Sequence, residues 1–119
     1  MKISENKKTK IESEMTLEER IAEWKKEHKK VFMCTVNGKD YIWRRIKRNE
    51  YAQIMAIKEG EDVDERIYNR QYAITKLAVL NIEEAELEND LEELAGLATT
   101  IADEVLDRSG FNATPSVEL

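Results

Sequence analysis

Few residues in this chain could take part in catalysis. His28 is the only histidine and Cys34 the only cysteine, and no glycine-rich phosphate loop or paired metal-ligand motif accompanies them. His28 is expected at the surface near a helix end, and Cys34 falls within a predicted strand, where a thiol is usually a small buried apolar group. The acidic cluster at 61–65 lacks the alternating oxygen ligands and internal glycine of a calcium loop. We therefore expect no enzyme activity, no metal site and no cofactor.

A basic and aromatic segment is the one constellation that could bind nucleic acid. Its cations could neutralise phosphates and its rings could stack on bases. The segment contains Tyr41, Trp43, Arg44, Arg45, Lys47 and Arg48. In the alternative interpretation, Tyr41 and Trp43 pack inward against Phe32 while the arginines face solvent. We favour the alternative, because the rest of the chain is acidic and would repel phosphate.

A predicted β-hairpin at about 31–46 positions these residues. Asn37-Gly38 lies between two runs of β-branched and aromatic residues, which is typical of a two-residue turn with positive φ at both positions. This turn fixes the register and makes both faces apolar, so that helices or a partner must cover both. The first face carries Phe32, Cys34, Val36, Tyr41 and Trp43, and the second carries Val31, Met33, Ile42 and Ile46.

Helices are predicted on both sides of the hairpin. Thr16 and Glu19 form a capping box that opens a helix to about Glu27, with an apolar stripe of Leu17, Ile21 and Trp24. A second helix begins near Arg48 or Asn49, with Asn49 as its cap, and ends at Gly60. Its predicted inner face is Tyr51, Ile54, Met55 and the stem of Lys58.

A third helix runs from the acidic cluster to about Leu80 and is expected to be the most buried. Its helical spacing involves Val63, Ile67, Ile74, Leu77 and Ala78. The acidic segment 81–90 is either a loop or a short exposed helix. The last helix starts near Gly96 or Leu97 and ends at 107 or 108, where Gly110 supplies a left-handed stop and Phe111 folds back.

Length and charge limit the possible organisation. The 119 residues suit one α+β domain, mainly α, at 16–111, with a hairpin among about four helices, a flexible arm at 1–15 and a flexible tail at 112–119. No apolar run could span a membrane and no signal peptide is evident, so we expect a cytosolic protein.

The net charge is +5 over 1–60 and −11 over 61–119, which is compatible with a basic partner, with head-to-tail self-association, or with solvated helix faces of different sign.

Several motifs together resemble the tail assembly chaperones of tailed bacteriophages. In that family a Trp-Lys helix precedes a hairpin, an aromatic-Arg-x-Leu-x-Arg-x-Glu-Tyr element follows, and an Ala-Gly helix ends in Ser-Gly-Phe. The corresponding residues here are Trp24-Lys25, Trp43-Arg44, Arg48 with Glu50-Tyr51, Ala95-Gly96 and Ser109-Gly110-Phe111. The likeness covers about 16–111, with Ile46 in the Leu place and Leu-Ala-Gly in place of the family's Leu-Pro-Ala-Gly.

The resemblance implies a non-enzymatic protein that coats the helical tape measure protein in the host cell cytoplasm before the tail tube polymerises. Alternatives are a virion component of tail, neck or baseplate, and a nucleic-acid-binding regulator that uses the basic strand. The chaperone hypothesis predicts contacts with the tape measure or other tail proteins, or with further copies of the chain. Those contacts would use Phe32, Met33, Tyr41, Ile42 and Trp43, flanked by Arg44 and Arg45.

Overall fold

The computed structural model describes residues 15–111, 113 and 115–119, so the predicted arm lies almost wholly outside the described residues. The chain divides into two compact units, Met1–Val31 and Phe32–Leu119. The described part contains five α-helices and one antiparallel hairpin, which confirms the predicted α+β, mainly α class. The elements are α1 Leu17–His28, β1 Val31–Val36, β2 Lys39–Arg44, α2 Arg48–Met55, α3 Val63–Ala78, α4 Glu84–Glu93 and α5 Leu97–Leu106. None of these helices is long and apolar enough to cross a membrane.

Helix α1 begins with the predicted capping box. The Thr16 Oγ1 accepts the Glu19 N–H at 3.1 Å, and the Glu19 carboxylate accepts the Thr16 N–H at 3.4 Å. The helix ends at His28, and its C-cap Lys29 has a φ of 69°. No residue of α1 is buried: Ile21 and Trp24 are half-buried and Leu17 is 51% exposed. The predicted apolar stripe therefore lies on the helix but remains partly exposed to solvent.

The hairpin has the predicted turn and register. Asn37 and Gly38 have φ values of 52° and 78°, as a two-residue turn of this type requires. The Phe32 and Trp43 rings stack at 4.8 Å, and the Thr35 hydroxyl donates to Asp40 Oδ1 at 2.6 Å. Both contacts join residues that the predicted register places opposite each other.

The chain itself covers the two faces of the hairpin unequally. Tyr41 and Trp43 belong to the core, and Phe32, Cys34 and Val36 pack against it. On the other face Ile42 is buried but Met33 is 60% exposed. Ile42 lies on β2, which has a neighbour on its outer edge, whereas Met33 lies on β1, which has none among the described residues.

Helix α2 begins at the predicted place but ends earlier, at Met55 instead of Gly60. The Arg70 guanidinium of α3 donates to the carbonyls of Met55 and Ile57 at 3.1–3.3 Å, so these groups are satisfied without further helical turns. Lys47, not Asn49, is the N-cap. Met55 is 43% exposed and Lys58 is also exposed, so only Ile54 and the half-buried Tyr51 face inward.

Helix α3 has the predicted bounds, and its cap Asp62 accepts the Glu65 N–H at 2.8 Å. It is not the most buried helix, however, because only its C-terminal half packs inside. Its buried residues are Ile74, Thr75 and Ala78, while Val63, Ile67 and Leu77 are exposed. The most buried helix is α5, through Leu97, Ala98, Ile101, Ala102 and Val105.

The acidic segment after α3 forms α4, the helical one of its two predicted states. It is not merely exposed, because Leu87 and Leu91, one turn apart, are buried in the core.

Helix α5 starts at Leu97, as predicted from Gly96. A π-helical turn over Asp107–Phe111 follows it, with Gly110 at a φ of 102°. The described residues beyond 111 form neither helix nor strand.

Candidate interaction surfaces

The residues predicted to bind partners lie in very different environments. Tyr41, Ile42 and Trp43 are 0–2% exposed, so their side chains are enclosed by the protein itself. Phe32 is half-buried, and only Met33 presents a largely exposed apolar side chain. The hairpin therefore brings these residues together, but it offers few of them to a partner.

The two arginines after Trp43 are half-buried, and Arg44 is paired within the chain. Its guanidinium donates two bonds to the Glu50 carboxylate, at 2.9 and 2.8 Å, and a third to the Arg45 carbonyl at 3.1 Å. Glu50 also accepts the Lys47 N–H at 2.9 Å. The Arg44 bonds, followed by that backbone bond, hold the pKa of Glu50 below its usual value although burial opposes the shift. This pair closes the corner between β2 and α2.

Phe32 lies between two flat groups. One face stacks on Trp43, and the Arg108 guanidinium lies 5.3 Å from the ring centroid, in cation–π range. The buried Trp43 Nε1 has no hydrogen-bond partner in the described part of the chain. Burial raises the pKa of the nearby Cys34 thiol, and the negative charge of the Glu104 carboxylate adds to the increase. A raised pKa favours the protonated thiol over the thiolate, which is the nucleophilic form.

The outer edge of β2 is covered. Trp43 forms an antiparallel bridge with Val79. The Leu80 N–H donates to the Ile42 carbonyl at 2.8 Å, and Asn81 accepts the Ile42 N–H at 2.9 Å. The Asn81 amide also donates to the Asp40 carbonyl at 3.0 Å. Segment 79–81 thus covers the outer edge of β2 through an isolated β-bridge, without adding a strand to the two-stranded sheet.

The outer edge of β1 is open. In this register the main-chain groups of Ile42 and Asp40 point away from β1, so those of the opposing Met33 and Thr35 point away from β2. No hydrogen bond to these outward groups comes from any other described residue. Thr35 and Met33 are also exposed. The hairpin therefore has one protected edge and one open edge.

A polar cluster joins the turn end of the hairpin to α4. The Asp90 carboxylate accepts the Lys39 ammonium at 2.8 Å and the Tyr41 hydroxyl at 2.8 Å, and Lys39 also pairs with Glu86. Burial and the bond to Asp90 raise the pKa of Tyr41 to about 12. Burial alone would raise the pKa of Asp90, but the Lys39 and Tyr41 bonds outweigh it and lower the pKa. The geometry suits a structural anchor, since every charge in it has a partner.

An apolar groove runs between α3 and α4, with a volume of about 640 Å³. Val79 and Leu87 are buried beneath it, while Leu77 is 37% exposed. Lys76 crosses one side, where it pairs with Glu84 at 3.1 Å and Glu88 at 2.5 Å. The remaining lining residues are Tyr72, Ala73 and Ile82.

The sequence interpretation did not anticipate this groove, because it left 81–90 open between a loop and an exposed helix. The signal was present in Ile82, Leu87 and Leu91, since Leu87 and Leu91 are spaced by one helical turn within an acidic run. This spacing predicts a helix with one apolar stripe, which must pack against another element. The strongly acidic composition concealed this stripe.

Metal-binding groups are absent from the part of the chain that the structure describes. His28 closes α1, and its nearest charged partner is Glu27 at 3.7 Å. No group of His, Cys, Asp and Glu side chains there is arranged to hold a metal ion. Comparison with protein-family models, with curated proteins and with solved structures gives no match to this chain.

Proposed function

We propose that this chain is a non-enzymatic tail-morphogenesis protein of a tailed bacteriophage, a tail assembly chaperone that binds the helical tape measure protein. The observation that carries the proposal is the groove between α3 and α4. Its apolar floor, charged rim and position between two helices suit the helix-in-groove mode of recognition, in which an amphipathic helix inserts its apolar stripe.

The charge of the groove specifies the kind of helix. Helix α4 contains Glu84, Glu86, Glu88, Asp90, Glu92 and Glu93 and no basic residue. Lys39 of the hairpin pairs with Glu86 and Asp90, so at the groove Lys76 faces Glu84 and Glu88 and compensates one of their two charges. A client helix should therefore carry Lys or Arg beside its apolar stripe, because opposite charges favour encounter and fix orientation.

Three of the five motifs behind the family resemblance meet in the structure, which supports the proposal. Arg44 pairs with Glu50, the Ser109 hydroxyl accepts the Ile46 N–H at 3.1 Å, and the Tyr51 and Phe111 rings lie 4.8 Å apart. These contacts join the end of the hairpin, α2 and the turn after α5. Motif residues far apart in sequence therefore contact one another where the hairpin, α2 and the turn after α5 meet.

The nucleic-acid alternative receives no such support. Tyr41 and Trp43 are enclosed and cannot stack on bases, and Arg44 is engaged by Glu50. These contacts agree with the interpretation in which the rings pack inward. A salt-sensitive retention of DNA by the purified protein would restore the alternative.

The test is the mass in solution of the purified protein mixed with fragments of the tape measure protein from the same genome. We expect a defined complex with a fragment that forms an amphipathic helix. Leu77→Glu should weaken that complex by about tenfold or more, because it places a charge in the apolar groove.

Ile67→Glu is the matched control. Ile67 is on the same helix and 45% exposed, but it does not line the groove. It should bind the fragment as the unchanged protein does, and circular dichroism should show that both variants fold. Equal binding by the two variants would remove the groove from the proposal, and no binding to any fragment would remove the chaperone function.

A further inference from the structure

We propose that the open edge of β1 pairs with β1 of a second copy of this chain, forming a continuous four-stranded antiparallel sheet across a two-fold axis. The proposal is independent of the tape measure hypothesis. It concerns the hairpin edge, whereas the proposed client site lies between α3 and α4.

The first argument is that the edge has none of the usual protection. Edge strands in proteins that stay monomeric commonly carry charges, proline or bulges, or are covered by another segment. The chain covers β2 in this way, with residues 79–81. Strand β1 is six residues long, contains neither charge nor proline, and is uncovered within the described residues.

The second argument is that the edge is complementary to itself. The outward main-chain groups of β1 belong to alternate residues, including Met33 and Thr35. An antiparallel pair related by a two-fold axis at Met33 places Met33 opposite Met33 of the second copy, so that these outward groups can bond in closely spaced pairs. In this register no charged residues of the two strands oppose each other, because β1 has none.

The third argument concerns Met33. It is the exposed member of the hairpin's second face, at 60% exposure. In the proposed register the two Met33 side chains lie side by side on one face of the sheet, where cross-strand neighbours pack. Pairing thus covers both the unpaired main-chain groups and the exposed thioether. Because a strand edge is a small interface, we expect a dimer of moderate affinity.

The test uses charge at the two-fold axis. Met33→Lys and Met33→Glu each place like charges opposite each other in the dimer, whereas a mixture of the two variants places opposite charges there. The full chain, each variant and the mixture are compared by sedimentation over about 1 to 500 μM, the range in which a small interface dissociates.

We expect the unchanged chain to dimerise, each variant to dimerise about tenfold or more weakly, and the mixture to recover as a heterodimer. Thr35→Pro is a second variant: it removes an outward N–H while leaving the hairpin's own ladder intact, and it should also weaken the dimer. Met55→Lys changes an exposed methionine elsewhere and should have no effect. The proposal would be overturned if the unchanged chain is monomeric, or if the mixture dimerises no more tightly than either variant alone. The same result would overturn it where β1 accepts a strand from a different protein.

Discussion

At the scale of single residues, the pair of Arg44 and Glu50 shows how a motif that suggests binding can be structural. Arg44 is predicted to flank a partner site, yet its side chain is only 12% exposed and its guanidinium makes a bidentate bond to Glu50. Glu50 also accepts the N–H of the α2 cap. One carboxylate thus fixes a strand end and a helix start.

Glu50→Gln should lower the free energy of unfolding at pH 7 by about 2 kcal/mol, because it weakens charged hydrogen bonds that are partly shielded from solvent. The pKa of Glu50 is depressed in the folded state, so its stabilising effect is present above the ordinary value of 4.5 and is lost as the pH falls below it. The difference between the two proteins in urea unfolding should therefore shrink from pH 7 to about pH 3.

Glu92→Gln, at an exposed position of α4, provides the control and should stay within about 0.5 kcal/mol of the unchanged protein. A difference between Glu50→Gln and the unchanged protein that persists undiminished at low pH would contradict the assigned role. It would show that the substitution acts through packing and not through the charge of Glu50.

At the scale of elements, close packing of α3 and α5 organises the core. Thr75, fully buried, donates to the Gln71 carbonyl at 3.0 Å and to the Ala98 carbonyl of α5 at 3.3 Å. Such a contact between a side chain and a neighbouring helix backbone requires small residues at the crossing. Ala78, Ala98 and Ala102 are 0–1% exposed and supply them.

Ala102→Leu should lower the free energy of unfolding by about 1–3 kcal/mol, because the added methylene groups must displace a core that is already filled. Ala52→Leu makes the same change on the exposed side of α2 and should have an effect below about 0.5 kcal/mol. Thermal and urea unfolding of the two variants provide the comparison. Equal stability of both would mean that the α3–α5 crossing has unfilled space beside Ala102.

Prediction from sequence succeeded where a local signal determines the structure. Asn37-Gly38 defined the hairpin and its register, and the Thr16–Glu19 capping box and Gly96 defined helix starts.

Prediction from sequence failed where contacts between distant residues determine the structure. The end of α2 depends on Arg70, thirteen or more residues away, and the burial of α3 depends on which half meets α5. Of the candidate site, the composition of the hairpin was predictable, but the burial of Ile42 depends on residues 79–81, which cover β2 and leave Met33 on β1 exposed.

At the scale of the whole molecule, the core belongs to one of the two units. All of its buried members lie between Tyr41 and Val105, within Phe32–Leu119. In the other unit, α1 is capped at its start but contributes no buried residue. The chain therefore combines a domain with its own core and a helix whose apolar stripe stays partly exposed.

This division predicts that a fragment beginning at residue 29 folds without the arm and α1. Its unfolding should remain cooperative, because every buried residue of the core lies within Phe32–Leu119. The measurement is direct, because the truncation removes Trp24 and leaves Trp43 as the single tryptophan. Trp43 is 1% exposed, so its fluorescence in the folded fragment should be that of an indole shielded from water and should shift to longer wavelength on unfolding.

Emission from a solvent-exposed indole in the native fragment would mean that the core needs the N-terminal unit. The Thr16→Ala variant of the full chain separates an independent core from one that needs the N-terminal unit. If the core needs that unit, loss of the α1 cap should also lower the unfolding midpoint reported by Trp43.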